Sequence, residues 1–222
     1  MNVEVVVREI EKRAEELPVQ NVPALRALRR EYSKRLQTLP AEDVVEIAAA
    51  LIVRGRVHRF VGDELIATRA DALRTLDLAQ IQRLGAGMST WDQVDCFAPY
   101  LSGPAWREGR IDDKAIAAWA KSKDRWWRRA ALVSTTALNV KARGGSGDAR
   151  RTLAVCRLLI EDRDDMVVKA LSWALRALAQ SDPVAVKRFL KENEDRLAAL
   201  VLREVRRKLE TGRKNRPRVS QT

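Results

Sequence analysis

The sequence predicts an all-α fold made of stacked helix pairs. About half of the chain consists of the strong helix formers Ala, Leu, Glu, Lys and Arg. Apolar side chains recur at spacings of three and four, the spacing of one face of a helix. Two segments also resemble each other at an offset of 40 residues, which is the HEAT-type period for one helix pair. We therefore predict a HEAT-like helical-repeat solenoid, an α-α superhelix with a concave basic groove.

The repeated sequences lie at the starts of predicted helices. Asp124-Arg-Trp-Trp-Arg-Arg-Ala-Ala matches Asp164-Asp-Met-Val-Val-Lys-Ala-Leu, and Ser89-Thr-Trp-Asp opens a third helix 35 residues before Asp124. Pro23 fits the first turn of a helix, and Ser89 and Asp124 fit N-caps. The predicted helices are 2–17, 23–38, 41–54, 62–76, 78–84, 89–102, 111–122, 124–140, 148–162, 165–180, 183–193 and 194–211.

The chain organisation follows from these elements. We expect a single domain over residues 1–211 and a basic, disordered tail over 212–222. The Gly-rich segment 141–148 is predicted to be an exposed loop between repeats.

Composition excludes several classes of function. One His and two separated Cys do not form the usual zinc sets, and His58 is expected at the surface. Walker, Gly-x-Gly-x-x-Gly and Gly-x-Ser-x-Gly motifs are absent from the sequence, and the longest apolar run, 47–53, is too short to span a bilayer. The net charge of +12 favours a polyanion partner, most simply nucleic acid. We expect a cytoplasmic protein without metal, cofactor or membrane contact.

The helix predicted at 165–180 carries two stripes of side chains. Val167, Leu171 and Leu178 belong to the core stripe. Lys169, Trp173 and Arg176 form a second stripe, and the repeat places Arg129 in register with Lys169. Cations and an indole would then share one surface. The alternative is that Trp173 packs against a neighbouring repeat and Arg176 is an ordinary solvated charge.

In the helix predicted at 89–102, Trp91 and Asp95 are four residues apart and flank the core stripe together. Basic surroundings would lower the pKa of Asp95 and keep it ionised. A fixed anion on a surface that binds phosphate needs a functional reason. The alternative is a partly buried indole beside a surface acid that pairs with an arginine.

Several motifs resemble one family in the same order. Trp91-Asp92-Gln93-Val94-Asp95 is similar to the Trp-Asp-x-Val-Asp motif of bacterial AlkD-like DNA alkylation repair glycosylases. The segments 126–131, 169–176 and 23–26 resemble that family's Trp-x-x-Arg-Ala-Ala, Lys-Ala-x-x-Trp-x-Leu-Arg and Pro-x-Leu-Arg motifs. Together they cover about residues 20 to 180.

The resemblance implies a monofunctional glycosylase that removes 3-methyladenine and 7-methylguanine from duplex DNA by hydrolysis, in base excision repair. Asp95, Trp91 and Trp173 would be catalytic, with the indoles holding the lesion and Asp95 opposing charge on the sugar. Arg129, Arg176 and Lys169 would bind DNA. We expect a monomer that associates with the nucleoid when bound to alkylated double-stranded DNA.

One departure from the family concerns its N-terminal aromatic, because residues 1–31 contain no Phe, Tyr or Trp and Tyr32 is a poor substitute. Two alternatives therefore stay open. One is a catalytically silent HEAT-like protein that binds DNA structure, and the other is a helical scaffold for an acidic protein.

Overall fold

The computed structural model describes residues 2–214 and contains helices but no strand over that range, which confirms the all-α prediction. A π-helical turn lies at Ala98–Ser102, and a 3-10 turn lies at Lys141–Arg143. Between residues 2 and 214 no helix is both long and apolar enough to cross a bilayer. The helices are α1 (Val3–Glu15), α2 (Val22–Arg35), α3 (Ala41–Ile52), α4 (Arg56–Ala67), α5 (Ala70–Thr75), α6 (Leu78–Gly85), α7 (Trp91–Phe97), α8 (Gly103–Arg107), α9 (Asp113–Ala120), α10 (Arg125–Ser134), α11 (Thr136–Asn139), α12 (Ala149–Leu158), α13 (Asp165–Leu178), α14 (Pro183–Glu192) and α15 (Ala199–Thr211).

The chain divides into two compact units, Met1–Ile111 and Asp112–Thr222. The single domain over 1–211 and the concave groove stay predictions. The predicted tail lies largely outside the described residues, which end at Lys214.

The first unit is built from three helix pairs. α1 packs on α2, α3 on α4 and α6 on α7. The second members of the pairs, α2, α4 and α7, contact one another in sequence, as do the first members α1, α3 and α6. Between these layers lies an apolar core that includes Ile10, Leu28 and Ile47. Tyr32 is also fully buried there, where burial raises its pKa to about 12.

The second unit repeats the arrangement. α9 packs on α10, α12 on α13 and α14 on α15, and the second members α10, α13 and α15 form one layer. Asp124 and Asp164 begin α10 and α13 in the same way, because each carboxylate accepts a hydrogen bond from the backbone N–H two residues ahead, at 2.9 Å. The forty-residue similarity in the sequence thus corresponds to equivalent helix starts.

The predicted boundaries at 54 and 62 are wrong. α3 ends at Ile52, Gly55 turns the chain with a φ of 134°, and α4 begins at once. His58, expected at the surface, is only 9% exposed, and Arg59 is 3% exposed. These basic residues interrupt the apolar pattern, so the pattern does not reveal the first turns of α4.

The helix predicted at 89–102 is also interrupted. α7 ends at Phe97, and the π-helical turn that follows contains Pro99. Proline has no N–H to donate within a helix, and a π-turn accommodates the local break. The chain regains α geometry in α8.

Several arginines join helices by donating to carbonyl oxygens at or just beyond a helix end. The last carbonyls of a helix lack an N–H donor within that helix, and a guanidinium fork can reach two carbonyls at once. The pairs are Arg59 with Leu84 and Ala86, Arg69 with Leu36 and Leu39, Arg110 with Leu73 and Leu76, and Arg128 with Ser122 and Lys123. These four arginines therefore stabilise the packing of the fold.

Replacing one such arginine should destabilise the fold more than replacing a surface arginine. We expect Arg69→Met to lower the free energy of unfolding by about 2–3 kcal/mol, because two partly buried carbonyls lose charged donors. The matched control is Arg83→Met, which removes an exposed ion pair with Glu46 and should cost less than about 1 kcal/mol. Urea denaturation measures both, and equal losses would contradict the structural role.

Candidate functional site

Trp91 and Asp95 lie one turn apart on α7. Trp91 is the first residue of the helix and its side chain is 54% exposed. Val94 and Phe97 are fully buried and hold the adjacent face of the helix on the core. Asp95 is partly exposed. The structure therefore keeps the indole and the carboxylate near each other at the surface of the first unit, as the spacing of four predicts.

The surroundings of α7 include more acid than the sequence suggested. Cys96 follows Asp95 and its thiol pKa is raised to about 12, mainly by burial. Asp63, Asp92, Glu64 and Asp95 raise it further through their charges. The four carboxyl groups therefore lie in one neighbourhood, where Glu64 is paired with Arg26 at 2.7 Å and with Arg29 at 3.4 Å.

A cavity of about 320 Å³ opens beside α7 within the first unit. Cys96 and Tyr100 form its α7 side, and Phe60 on α4 lies opposite a guanidinium from α2, with the Arg26 carbon 5.9 Å from the ring centroid. Tyr100, in the π-helical turn, is 42% exposed. Sequence reasoning missed both aromatic residues, because neither falls in a motif and the π-turn had no recognised signal.

Asp63 is a buried acid in the wall of this cavity. Its side chain is 1% exposed, and neither carboxyl oxygen has a hydrogen-bond partner among the described residues. Burial raises the pKa of Asp63 to about 8, against a smaller opposing effect of Arg59. The carboxyl group is therefore mostly protonated at neutral pH.

Three residues of α13 were predicted as site residues, namely Lys169, Trp173 and Arg176. They differ in exposure and in the bonds they form within the protein. Lys169 is exposed and donates to Asp165 one turn earlier, at 2.6 Å. Arg176 is largely buried, donates to the Ser172 hydroxyl at 3.2 Å and lies 3.6 Å from a Glu204 carboxylate oxygen. Burial lowers the pKa of Arg176, and the charge of Glu204 opposes that shift.

Trp173 is half-buried and its ring is in contact with a cation of the protein. The guanidinium carbon of Arg143 lies 5.6 Å from the ring centroid. Arg143 belongs to the 3-10 turn within the segment 141–148 that was predicted as an exposed loop. Sequence reasoning did not select Arg143, because nothing local connects a loop arginine with an indole thirty residues later.

Arg129 does not project from the surface as predicted. It is only 5% exposed, and its guanidinium donates to the Met166 carbonyl oxygen at 2.7 Å. This bond joins α10 to the first turn of α13, the helix that carries Lys169 and Trp173. A contact of Arg129 with DNA stays a prediction, while its positioning of α13 is a feature of the fold.

Comparison with known proteins assigns the family. Residues 15–209 match the family model described as DNA alkylation repair enzyme, so the chain belongs to that family. Its role is in DNA alkylation repair, and its partner is DNA. No match is found among curated proteins.

A solved structure has the same fold. The predicted DNA alkylation repair enzyme from Enterococcus faecalis aligns with a TM-score of 0.70 and 20% identity, over 91% of this chain and 95% of that one. At this identity the likeness concerns the fold alone, and it confirms the helical-repeat class predicted from the sequence.

The buried acid makes stability depend on pH. Because the pKa of Asp63 is about 8 in the folded state and its ordinary value is 3.8, only the folded state keeps the proton between those values. Stability should therefore fall as the pH rises through that window, and Asp63→Asn should remove this fall. We expect the stability of the variant relative to wild type to grow by about 1–4 kcal/mol between pH 5 and pH 8.

Urea denaturation at pH 5, 6, 7 and 8 measures this difference. Asp71→Asn is the matched control, since Arg69 lowers the pKa of the exposed Asp71 to about 2 and its charge stays constant in this range. Parallel pH curves for wild type and Asp63→Asn would contradict a raised pKa.

Proposed function

We propose that the protein is a DNA glycosylase that excises positively charged N-alkylated purines, such as 3-methyladenine and 7-methylguanine, by hydrolysis of the N-glycosidic bond. The observation that carries the proposal is the exposed indole of Trp91 one turn from the carboxylate of Asp95, in a chain of the DNA alkylation repair family. We further propose that it acts as a cytoplasmic monomer.

The chemistry requires stabilisation of two cations. An N-alkylated purine carries a positive charge, and its departure leaves positive charge on the sugar. Trp91 can hold the charged lesion by cation–π contact, for which an exposed indole face is needed. Asp95 opposes the charge that develops on the sugar and orients the attacking water, as carboxylates do in glycoside hydrolysis.

The acidic neighbourhood of α7 supports this assignment. Asp63, Asp92 and Glu64 lie close enough to Cys96 to act on its thiol, next to Asp95 in the chain. Asp63 is buried and mostly protonated at neutral pH, and Glu64 pairs with Arg26 and Arg29, so the acids of α7 itself are those that act on a bound ligand. A surface that receives a cationic base benefits from those that are ionised.

Phosphate binding is proposed first for Lys169. Its ion pair with Asp165 is exposed, and such pairs contribute little energy, so exchange of the carboxylate for a DNA phosphate costs little. Arg176 and Arg129 already bond to Glu204 and the Met166 carbonyl, so they rank behind Lys169 as DNA contacts. Trp173 receives a lesion contact only on ring surface that Arg143 does not cover.

A catalytically silent protein that binds DNA structure is the second candidate. The observation that favours it is the missing N-terminal aromatic, since Tyr32 is fully buried and cannot contact a lesion. This candidate predicts the same DNA affinity without base release. A scaffold for an acidic protein would instead be identified by failure of unmodified duplex DNA to compete for the surface.

Asp95→Asn should separate catalysis from binding. We expect release of alkylated bases from methylated duplex DNA to fall at least about 100-fold, because the developing sugar charge loses its anion. DNA affinity should stay equal or rise, since an anion near phosphate is removed. Chromatography of free 7-methylguanine and 3-methyladenine, run with a chelator present, measures the loss.

Glu42→Gln is the control, because it neutralises an exposed acid on α3, away from α7 along the chain. Equal base release by wild type and Asp95→Asn would refute the role of Asp95.

Lys169→Ala should weaken binding to duplex DNA and reduce the slope of log affinity against log salt by about 0.9, the value for one lost phosphate contact. Lys12→Ala is the matched control, because Lys12 is also exposed and also forms an ion pair with an acidic residue one turn away, Glu16. Fluorescence anisotropy between low and high salt measures the slopes. Identical slopes for Lys169→Ala and wild type would exclude this contact.

A further inference from the structure

The first unit contains a group of potential metal ligands that includes no residue of α7. A ring nitrogen of His58 and one carboxylate oxygen each of Glu11 and Glu15 all lie within 4.8 Å of one another. Glu11 and Glu15 are one turn apart on α1, and His58 lies in the first turn of α4. The three residues thus lie between two helices that contact each other, α1 and α4.

The burial of His58 distinguishes this group from an ordinary cluster of surface acids. The side chain is 91% buried, and its Nε2 has no hydrogen-bond partner among the described residues. Its Nδ1 lies 3.4 Å from the Arg54 carbonyl oxygen, which can only accept. The bond therefore assigns the proton to Nδ1 and leaves a lone pair on Nε2. A backbone carbonyl that holds the other ring nitrogen is the usual second shell of a metal-binding histidine.

The charge balance permits a cation here. Arg54 donates to a Glu11 carboxylate oxygen at 2.7 Å, and it also donates to both carboxylate oxygens of Glu4 at 3.0 Å. If Glu11 turns toward an ion, Arg54 keeps its partner in Glu4. Glu15 is exposed and gives the site a path from solvent.

We propose that Glu11, Glu15 and His58 form a zinc-class divalent metal site that joins α1 to α4. Imidazole favours Zn²⁺ over Mg²⁺ or Ca²⁺, and zinc accepts carboxylate oxygen beside histidine nitrogen in a tetrahedral set. Such a set brings ligand atoms to roughly 3.4 Å from one another, so the three side chains close by about 1 Å, and water takes the fourth position. Its role is structural, because the ion binds the folded arrangement of α1 and α4.

The direct test is titration of the full-length protein, stripped with a chelator, with Zn²⁺. Calorimetry should show one strong site per chain. Zn²⁺ at about 100 times its dissociation constant should raise Tm by roughly 5–10 °C, whereas Mg²⁺ at the same concentration should not.

Variants locate the ion. Glu15→Gln keeps the fold, because the side chain is exposed, and should weaken Zn²⁺ binding at least about tenfold. His58→Gln should abolish binding if that variant folds. Glu16→Gln is the matched control, since it removes the neighbouring exposed carboxylate, which pairs with Lys12 instead.

Loss of affinity in Glu15→Gln with wild-type affinity in Glu16→Gln supports the site. The proposal is overturned if wild type binds no Zn²⁺, or if Glu15→Gln binds it as tightly as wild type, which would place the ion elsewhere, for example on Cys96 or Cys156.

Discussion

Bonds from arginine guanidinium groups to carbonyl oxygens at helix ends connect separate elements of this fold. A fold made only of short helices has many ends, and each end leaves carbonyl oxygens without a partner. Arg59, Arg69, Arg110 and Arg128 supply donors to carbonyls of other elements or of the preceding turn. Arg129 donates to the Met166 carbonyl in the first turn of α13 and so joins α13 to α10. Helix packing and charge are therefore coupled in this protein.

The net charge of +12 is therefore not all available for binding DNA. Buried guanidinium groups stabilise the fold and contribute little to a surface that binds DNA. The first unit presents an exposed indole and a carboxylate on α7. The second unit presents an exposed lysine on α13. An acidic neighbourhood in a basic protein suits a ligand that is an anion along its backbone and a cation at the damaged base.

The sequence predicts those features that depend on neighbours along one helix. The all-α class, the equivalent starts at Asp124 and Asp164, and the proximity of Trp91 and Asp95 all follow from short-range spacing. It does not predict contacts made between distant segments. Four such features depend on which helices pack together. They are the burial of Arg129, the contact of Arg143 with the Trp173 ring, the cavity beside Phe60, and the proximity of His58 to α1. A polar residue in a helix is also predicted to be exposed unless the carbonyl to which it donates is known.

We propose above that the protein breaks an N-glycosidic bond. The most direct measurement is a single-turnover time course of free base released from a duplex with one 7-methylguanine, with protein in excess and a chelator present. We expect release well above the spontaneous rate, with abasic sites formed in equal amount and strands intact. Release at the spontaneous rate, under conditions where the duplex is fully bound, would contradict it and favour the silent DNA-binding protein.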